Sequence, residues 1–356
     1  MPEIPPDLIF DGHNDVLLRL LKKHQPGVER QFLDGDNQGH LDLPRMRRGG
    51  FGGGLFAVYI PSGNDLAALD DLMQGERYDV PLSPLIEARE ALPTALAMMS
   101  ILLRIARASG GAFQICRTAA EIRACMASGV IAAVLHMEGA EAIDRDLYGL
   151  EVFYQAGLRS LGPVWSRPTI FGHGVPFRYP STGDTGPGLT DAGKALIRAC
   201  GELGIAIDLS HLNEKGFWDV AQISRKPLIA THSNAYAVCP HARNLTDRQL
   251  DAIRASGGMV GLNFATCFLR PDGQRGENTP IEHMLRHLDH LIARLGVDHV
   301  GFGSDFDGAL IPGAIGDVTG LPVLLAALRD HGYDAAILRK LAHENWLAAL
   351  ERTWGG

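Results

Sequence analysis

Residues 8–15, "LIFDGHND", decide how the rest of the chain is read. The run begins as an apolar strand, and His13 and Asp15 interrupt it one residue apart. Alternate residues of a strand project to one side, which sets these two about 6.5–7 Å apart at Cα, a spacing that suits two ligands of one metal ion. A polar strand end with a satisfied histidine is the plain alternative, and eight residues alone do not choose between them.

Seven more short runs rich in Val, Ile and Leu follow: "GLFAVYI", "VIAAVLHME", "GLRSLGPVW", "GIAIDLSH", "PLIATHS", "GGMVGLNF" and "DHVGFGSD". None alternates cleanly between apolar and polar residues, so all eight should be covered on both faces, as parallel strands are. Helical patterns lie between them. "TDRQ" from Thr246 and "TPIE" from Thr279, with Pro280 at the first helical position, read as capping boxes. Thr190 opens a helix with Ala195, Leu196, Ala199, Cys200 and Leu203 on one face and Gly204 as its stop. The alternation predicts an α/β fold, a single (β/α)8 TIM-type barrel over 1–356, with an open doubly wound sheet as the alternative. No linker, repeat or low-complexity tract divides the chain. The long irregular segments, about 61–83, 168–188, 271–278 and 306–320, each follow a proposed strand and would lie on the face where barrel active sites are built.

Composition narrows the function classes. With 356 residues and 46% hydrophobic content the chain can bury a large core, and a net charge of −8 without a long basic run speaks against nucleic acid as a partner. "MPEIPPDLIF" lacks a basic, signal-like start, and the apolar runs are broken before membrane-spanning length, so a cytoplasmic protein without a membrane anchor is expected. Cys116, Cys125, Cys200, Cys239 and Cys267 are an odd, scattered set without a CxxC pair, which predicts mostly reduced thiols; a Cys239–Cys267 contact stays open. "GGFGGG" precedes a strand, and close backbone packing explains it better than dinucleotide binding.

Fourteen histidines require a filter, and strand ends supply one. They select His13 and Asp15 on the first strand, Glu138 on the third, His211 on the fifth, His232 on the sixth and Asp305 on the eighth. In a barrel all six converge on the mouth. Three imidazoles and three carboxylates exceed a closed four-coordinate site and suit two divalent ions that share a carboxylate and activate a water.

These residues sit in "DGHND", "HMEGAEAI", "DLSHLN", "THSNAYAVCPHARNLTD" and "GFGSDFDG", which in this order resemble the motifs of the renal (membrane) dipeptidase family, zinc peptidases related to the amidohydrolase barrels. The resemblance covers nearly the whole chain. It implies that His13 and Asp15 hold one zinc, His211 and His232 the other, and Glu138 bridges them. It further implies that a bridging hydroxide attacks the peptide bond of a dipeptide, with Asp305 carrying its proton to the leaving amine. Arg243, in "HARN", matches the family arginine that meets the dipeptide's carboxyl group, a role that suits a planar guanidinium. Tyr59 aligns with a tyrosine near the substrate pocket. Oligomeric state is left open by these motifs, and a homodimer is compatible with them.

The fourth strand departs from the pattern. Family members carry "LTHN" there, and this chain has "LGPVWSRPTIFGHG", with Trp165 in place of a histidine that stabilises the tetrahedral intermediate. An indole offers one neutral N–H, and loss of an oxyanion donor commonly costs about 2.7–4 kcal/mol. Three compensations are open: His173 swings in, Arg167 supplies the charge, or Trp165 lines a pocket for a different side chain. Two other functions compete. "HLNE", with Glu214 after His211, superficially resembles a mononuclear deaminase, although a carboxylate in the first turn of a helix is the simpler reading. A barrel that binds without catalysing is the other.

Overall fold

The computed structural model describes residues 3–62 and 72–355. The eight expected strands form the barrel: β1 Ile9–Asn14, β2 Phe51–Tyr59, β3 Ile131–Glu138, β4 Leu158–Gly162, β5 Ala206–Ile207, β6 Ile229–Ala230, β7 Met259–Leu262 and β8 Val300–Phe302. All neighbours are parallel, in the order β5-β4-β3-β2-β1-β8-β7-β6. The two ends meet where Asp208 pairs with Ile229 and the Leu209 N–H donates to Ile229 O at 2.8 Å, so the ring is nearly closed. An open sheet would lack that seam. Every residue of β1, β2 and β3 is buried, as expected of strands covered by helices outside and by packed side chains within.

The long β2–β3 register, from Gly53 opposite Ala132 to Tyr59 opposite Glu138, brings Tyr59 beside Glu138 at the mouth. Close packing accounts for the glycine run: a Cβ on Gly53 would stand 2.5 Å from Ala132 O, and one on Gly54 2.7 Å from Asp11 O. Phe113–Ile115 adds a short parallel strand outside the ring against β3, and Tyr78–Asp79 pairs with Arg178–Tyr179 above it. These last two lie in segments expected to be irregular. They tie the loops after β2 and β4 together, and Tyr78 Oη donates to Gly273 O at 2.7 Å, adding the loop after β7. Residues 63–71 of the 61–83 loop lie outside the described residues.

Helix starts follow their caps with one exception. Gln249 Oε1 accepts from Thr246 N at 2.9 Å, and Thr190 Oγ1 accepts from Gly193 N at 3.0 Å. The helix from Thr190 ends at Gly204 in a left-handed turn and buries Leu196 and Cys200, but Ile197 in place of the exposed Ala195. "TPIE" is not a capping box: Pro280 is itself the cap of helix Ile281–Leu295, and Thr279 Oγ1 donates back to Gly276 O. Among the described residues one helix, Ala88–Ala108, is long and apolar enough to cross a membrane. Here it buries Ala91, Ala95, Met98, Met99, Ile101, Leu102 and Ile105, and Tyr59 N reaches Met98 Sδ at 3.4 Å, so one face belongs to the barrel.

Candidate metal centre

Strand ends deliver the candidate ligands, but the regular strands stop short of most of them. His13 lies on β1 and Glu138 is the last residue of β3. Asp15 has left β1 to cap helix Val16–Lys22, and His211 and Asp305 lie beyond their strands in the left-handed region, at φ 67° and 60°. Residues other than glycine are uncommon in that region, although asparagine, aspartate and histidine enter it more readily than most, and residues held in it cluster at functional sites. Neighbouring strands hold it in place. Asp305 N donates to His13 O at 3.1 Å, and Asp15 N to Phe306 O at 2.8 Å.

The six expected side chains meet. His13 Nε2 stands 3.2 Å from Asp15 Oδ2 and 3.7 Å from Glu138 Oε2. His211 Nε2 and His232 Nε2 lie 3.0 and 3.5 Å from the other oxygen of Glu138, and 3.1 Å from each other. Ligand atoms of His13, Glu138 and His232, and those of His13, Asp15 and Asp305, form two groups compact enough to hold an ion. His13 belongs to both groups, and the two Glu138 oxygens face His13 on one side and His211 and His232 on the other.

The surroundings fit metal ions. Ser166 Oγ is 2.7 Å from His211 Nδ1, and Thr231 Oγ1 is 2.8 Å from His232 Nδ1, leaving both Nε2 atoms free to present lone pairs inward. Burial drives both rings well below the ordinary imidazole range, so they stay neutral, as ligands must. Burial raises Glu138 and Asp305. Burial would also lower His13, but Glu138 and Asp15 outweigh it and hold its pKa up at about 10. The cluster thus attracts positive charge at its centre.

Above it opens a cavity of about 390 Å³. Asp15, Glu138, His211 and Asp305 reach it from the cluster, and Met73, Phe177, Arg275 and Asp307 come from the four long loops. Gly308 keeps the acidic side tight: a Cβ there would strike Asp15 Oδ2 and stand 2.5 Å from Asp305 Oδ1.

Trp165 and Tyr59 form one wall, their rings 5.2 Å apart, and Trp165 also packs on Phe177 and His211. Arg167 does not supply charge to this cavity. Its guanidinium is fully buried and engaged by Glu141 Oε1 at 2.6 Å, Ser62 Oγ at 2.7 Å and Ile60 O, 5.4 Å from the ring centres of both Tyr59 and Trp165. It buttresses the wall from behind. His173 is not brought to the site either: it lines a separate cleft with Asp79 and Arg178, its Nδ1 near Gly188 O. Arg243 is buried beside the cluster without lining the cavity. It donates to Ser233 Oγ and His232 O, and its Nε lacks a partner.

Glu214 begins helix Glu214–Ile223 and accepts from Trp218 Nε1 at 3.3 Å, so it serves the helix and not the cavity. All five cysteines are buried thiols, and Cys239 Sγ points to Cys267 O at 3.6 Å without a disulfide. Asn263 escapes a filter limited to ionisable strand ends. It closes "GGMVGLN", and its Nδ2 donates to Asp305 Oδ2 at 2.9 Å.

Comparison with known proteins agrees with this geometry. The family model of the membrane dipeptidases, peptidase family M19, matches residues 6–353. The chain belongs to this family. A metallo peptidase from Rhodobacter sphaeroides, solved with a phosphinate mimic of the dipeptide L-Ala-D-Ala, is 60% identical with a TM-score of 0.96, covering 99% of this chain and 100% of that one. The structure of dipeptidase AC, also a metallo peptidase, matches with the same values. An uncharacterized protein in the pqqA 5' region of Klebsiella pneumoniae is 50% identical over 72% of this chain and 94% of its own length. PvdM of Pseudomonas aeruginosa, at 22% identity and a TM-score of 0.78 over 98% of this chain and 95% of that one, shares the fold. The protein is a metallo-dipeptidase on a parallel (β/α)8 barrel, and dipeptides are its substrates.

Proposed function

We propose that this metallo-dipeptidase works with two zinc ions, one held by His13 and Asp15, the other by His211 and His232, with Glu138 between them. The observation that carries the reading is the convergence of His211 Nε2, His232 Nε2 and one Glu138 oxygen within 3.5 Å, while the other Glu138 oxygen faces His13. When bound, a pair of such ions supplies a water of near-neutral pKa and polarises the scissile carbonyl. Asp305 would take a proton from the attacking water and return it to the leaving amine. Asn263 holds one Asp305 oxygen and leaves the other facing the cavity side, where Gly308 packs.

Arg243, a cation buried beside His232 with an unpartnered Nε, is assigned to attract the carboxyl side of the dipeptide by its charge from behind the cavity lining. Tyr59 and Trp165 shape the cavity against large side chains. With the ligand of the R. sphaeroides relative in view, dipeptides of small residues, including a D-residue at the carboxyl end, are the proposed substrates. A dipeptide panel assayed on zinc-loaded protein tests this: L-Ala-L-Ala and L-Ala-D-Ala should be cleaved well, and preference for large aromatic dipeptides would contradict it.

A further inference from the structure

The ring of His232 is held by a chain of hydrogen bonds that starts one strand away. Asp208, at the β5–β6 seam, is 1% exposed, and three donors converge on it. Ser210 N and Thr231 N reach Oδ1, each at 2.9 Å, and the Thr231 hydroxyl reaches Oδ2 at 2.6 Å. A carboxylate only accepts, so the single hydroxyl proton of Thr231 is committed to Asp208. What the hydroxyl then offers His232 Nδ1, 2.8 Å away, is a lone pair.

We infer that Asp208, acting through Thr231, is a positioning residue that keeps the proton of His232 on Nδ1 and so keeps its Nε2 lone pair turned toward Glu138 and His211. The inference rests on the metal reading above and adds to it the residue that sets the ligand's tautomer. The polarity of the chain makes it distinctive. In Asp208→Asn the amide can retain both backbone N–H bonds on its oxygen while its NH2 faces the Thr231 oxygen. Thr231 then turns its own proton to His232 Nδ1, and the His232 proton moves to Nε2, where it blocks the ligand position. Thr231→Val keeps the backbone bonds of Asp208 and removes the relay without reversing it. Thr231→Ser keeps the relay.

The test compares the full chain and the three variants, stripped of metal and titrated with zinc against a competing chelator. The zinc-free proteins are also measured by long-range 15N–1H spectra of labelled histidine, with the His232 signal assigned by its loss in His232→Asn. Outer-sphere partners of this kind typically contribute about 10–100-fold in metal affinity, and Asp208→Asn should lose that much. Thr231→Val should lose less, and Thr231→Ser should bind as wild type does. His232 should carry its proton on Nδ1 in wild type and Thr231→Ser, and on Nε2 in Asp208→Asn. A folded Asp208→Asn that binds zinc as tightly as wild type, or an Nε2 proton in the wild type, overturns the inference. If Asp208→Asn does not fold, the wild-type tautomer and the Thr231→Val and Thr231→Ser pair decide it. A wild-type chain that binds no zinc would instead overturn the metal reading on which the inference rests.

Discussion

The Nε2 atoms of His211 and His232 face each other at 3.1 Å, and each ring has a hydroxyl group at its Nδ1. With both protons on Nδ1, two lone pairs meet in a buried site, an arrangement that repels unless a cation lies between them. Chelation should therefore lower the thermal midpoint, because an ion bound only by the folded chain adds about 2.7 kcal/mol when present at 100 times its dissociation constant. Calorimetry with and without chelator reads the effect, and identical midpoints would show that no ion is held.

Asp305→Asn keeps the shape of the acid and removes its basicity. Dipeptide hydrolysis should fall by about 10²–10⁴-fold, the usual contribution of a positioned acid or base, while zinc content stays at the wild-type value. Unchanged turnover would assign the proton transfer elsewhere.

Arg167 separates structural from electrostatic roles. Its removal in Arg167→Ala leaves Glu141 buried without its partner, which should cost about 3–5 kcal/mol in urea unfolding. A variant of normal stability that had lost activity would mean that the guanidinium acts on substrate directly.

Trp165→Ala should open the wall that Tyr59 and Phe177 complete. A buried Trp-to-Ala change typically costs about 3–5 kcal/mol, and the ratio of kcat/KM for bulky against small dipeptides should rise. A lowered kcat at unchanged selectivity would point to an oxyanion contact from the indole.

Much of this site was legible because ionisable groups at the ends of buried strands are conspicuous: His13, Asp15, Glu138, His211, His232 and Asp305 all meet as expected. The eight strands were legible for the same reason, since runs covered on both faces read as continuous apolar stretches. Loop residues were not. The placement of His173 depends on how 168–188 folds back, and that path is set by pairing of Arg178–Tyr179 with Tyr78–Asp79, two residues on each side and below any sequence periodicity. Arg167 misled because its partners, Glu141, Ser62 and Ile60, are distant in sequence and leave no local pattern. Asn263 and Thr231 carry no charge, so nothing in the sequence marks them beside Asp305 and His232, to which they hydrogen-bond.

Acid should weaken the fold through histidines outside the metal centre. Burial holds His287 and His241 down at about 3, against an ordinary value of 6.5. His287 must be neutral to accept from Ala235 N and donate to Leu269 O. The folded chain then binds fewer protons than the unfolded one, so stability is full above about pH 6.5 and declines as pH falls from there toward about 3. His287→Gln, which can accept and donate in the same places without titrating, should show a shallower decline in urea midpoint. An equal slope in both proteins would exclude His287 as a source.

The most direct test of the central claim measures metal and hydrolysis on one sample. Purified protein reconstituted with zinc should hold about two ions per chain and cleave dipeptides, as a pair of ions sharing one carboxylate requires. Glu138→Ala should lose zinc and activity together. A single ion that survives Glu138→Ala with hydrolysis intact would contradict the two-ion centre.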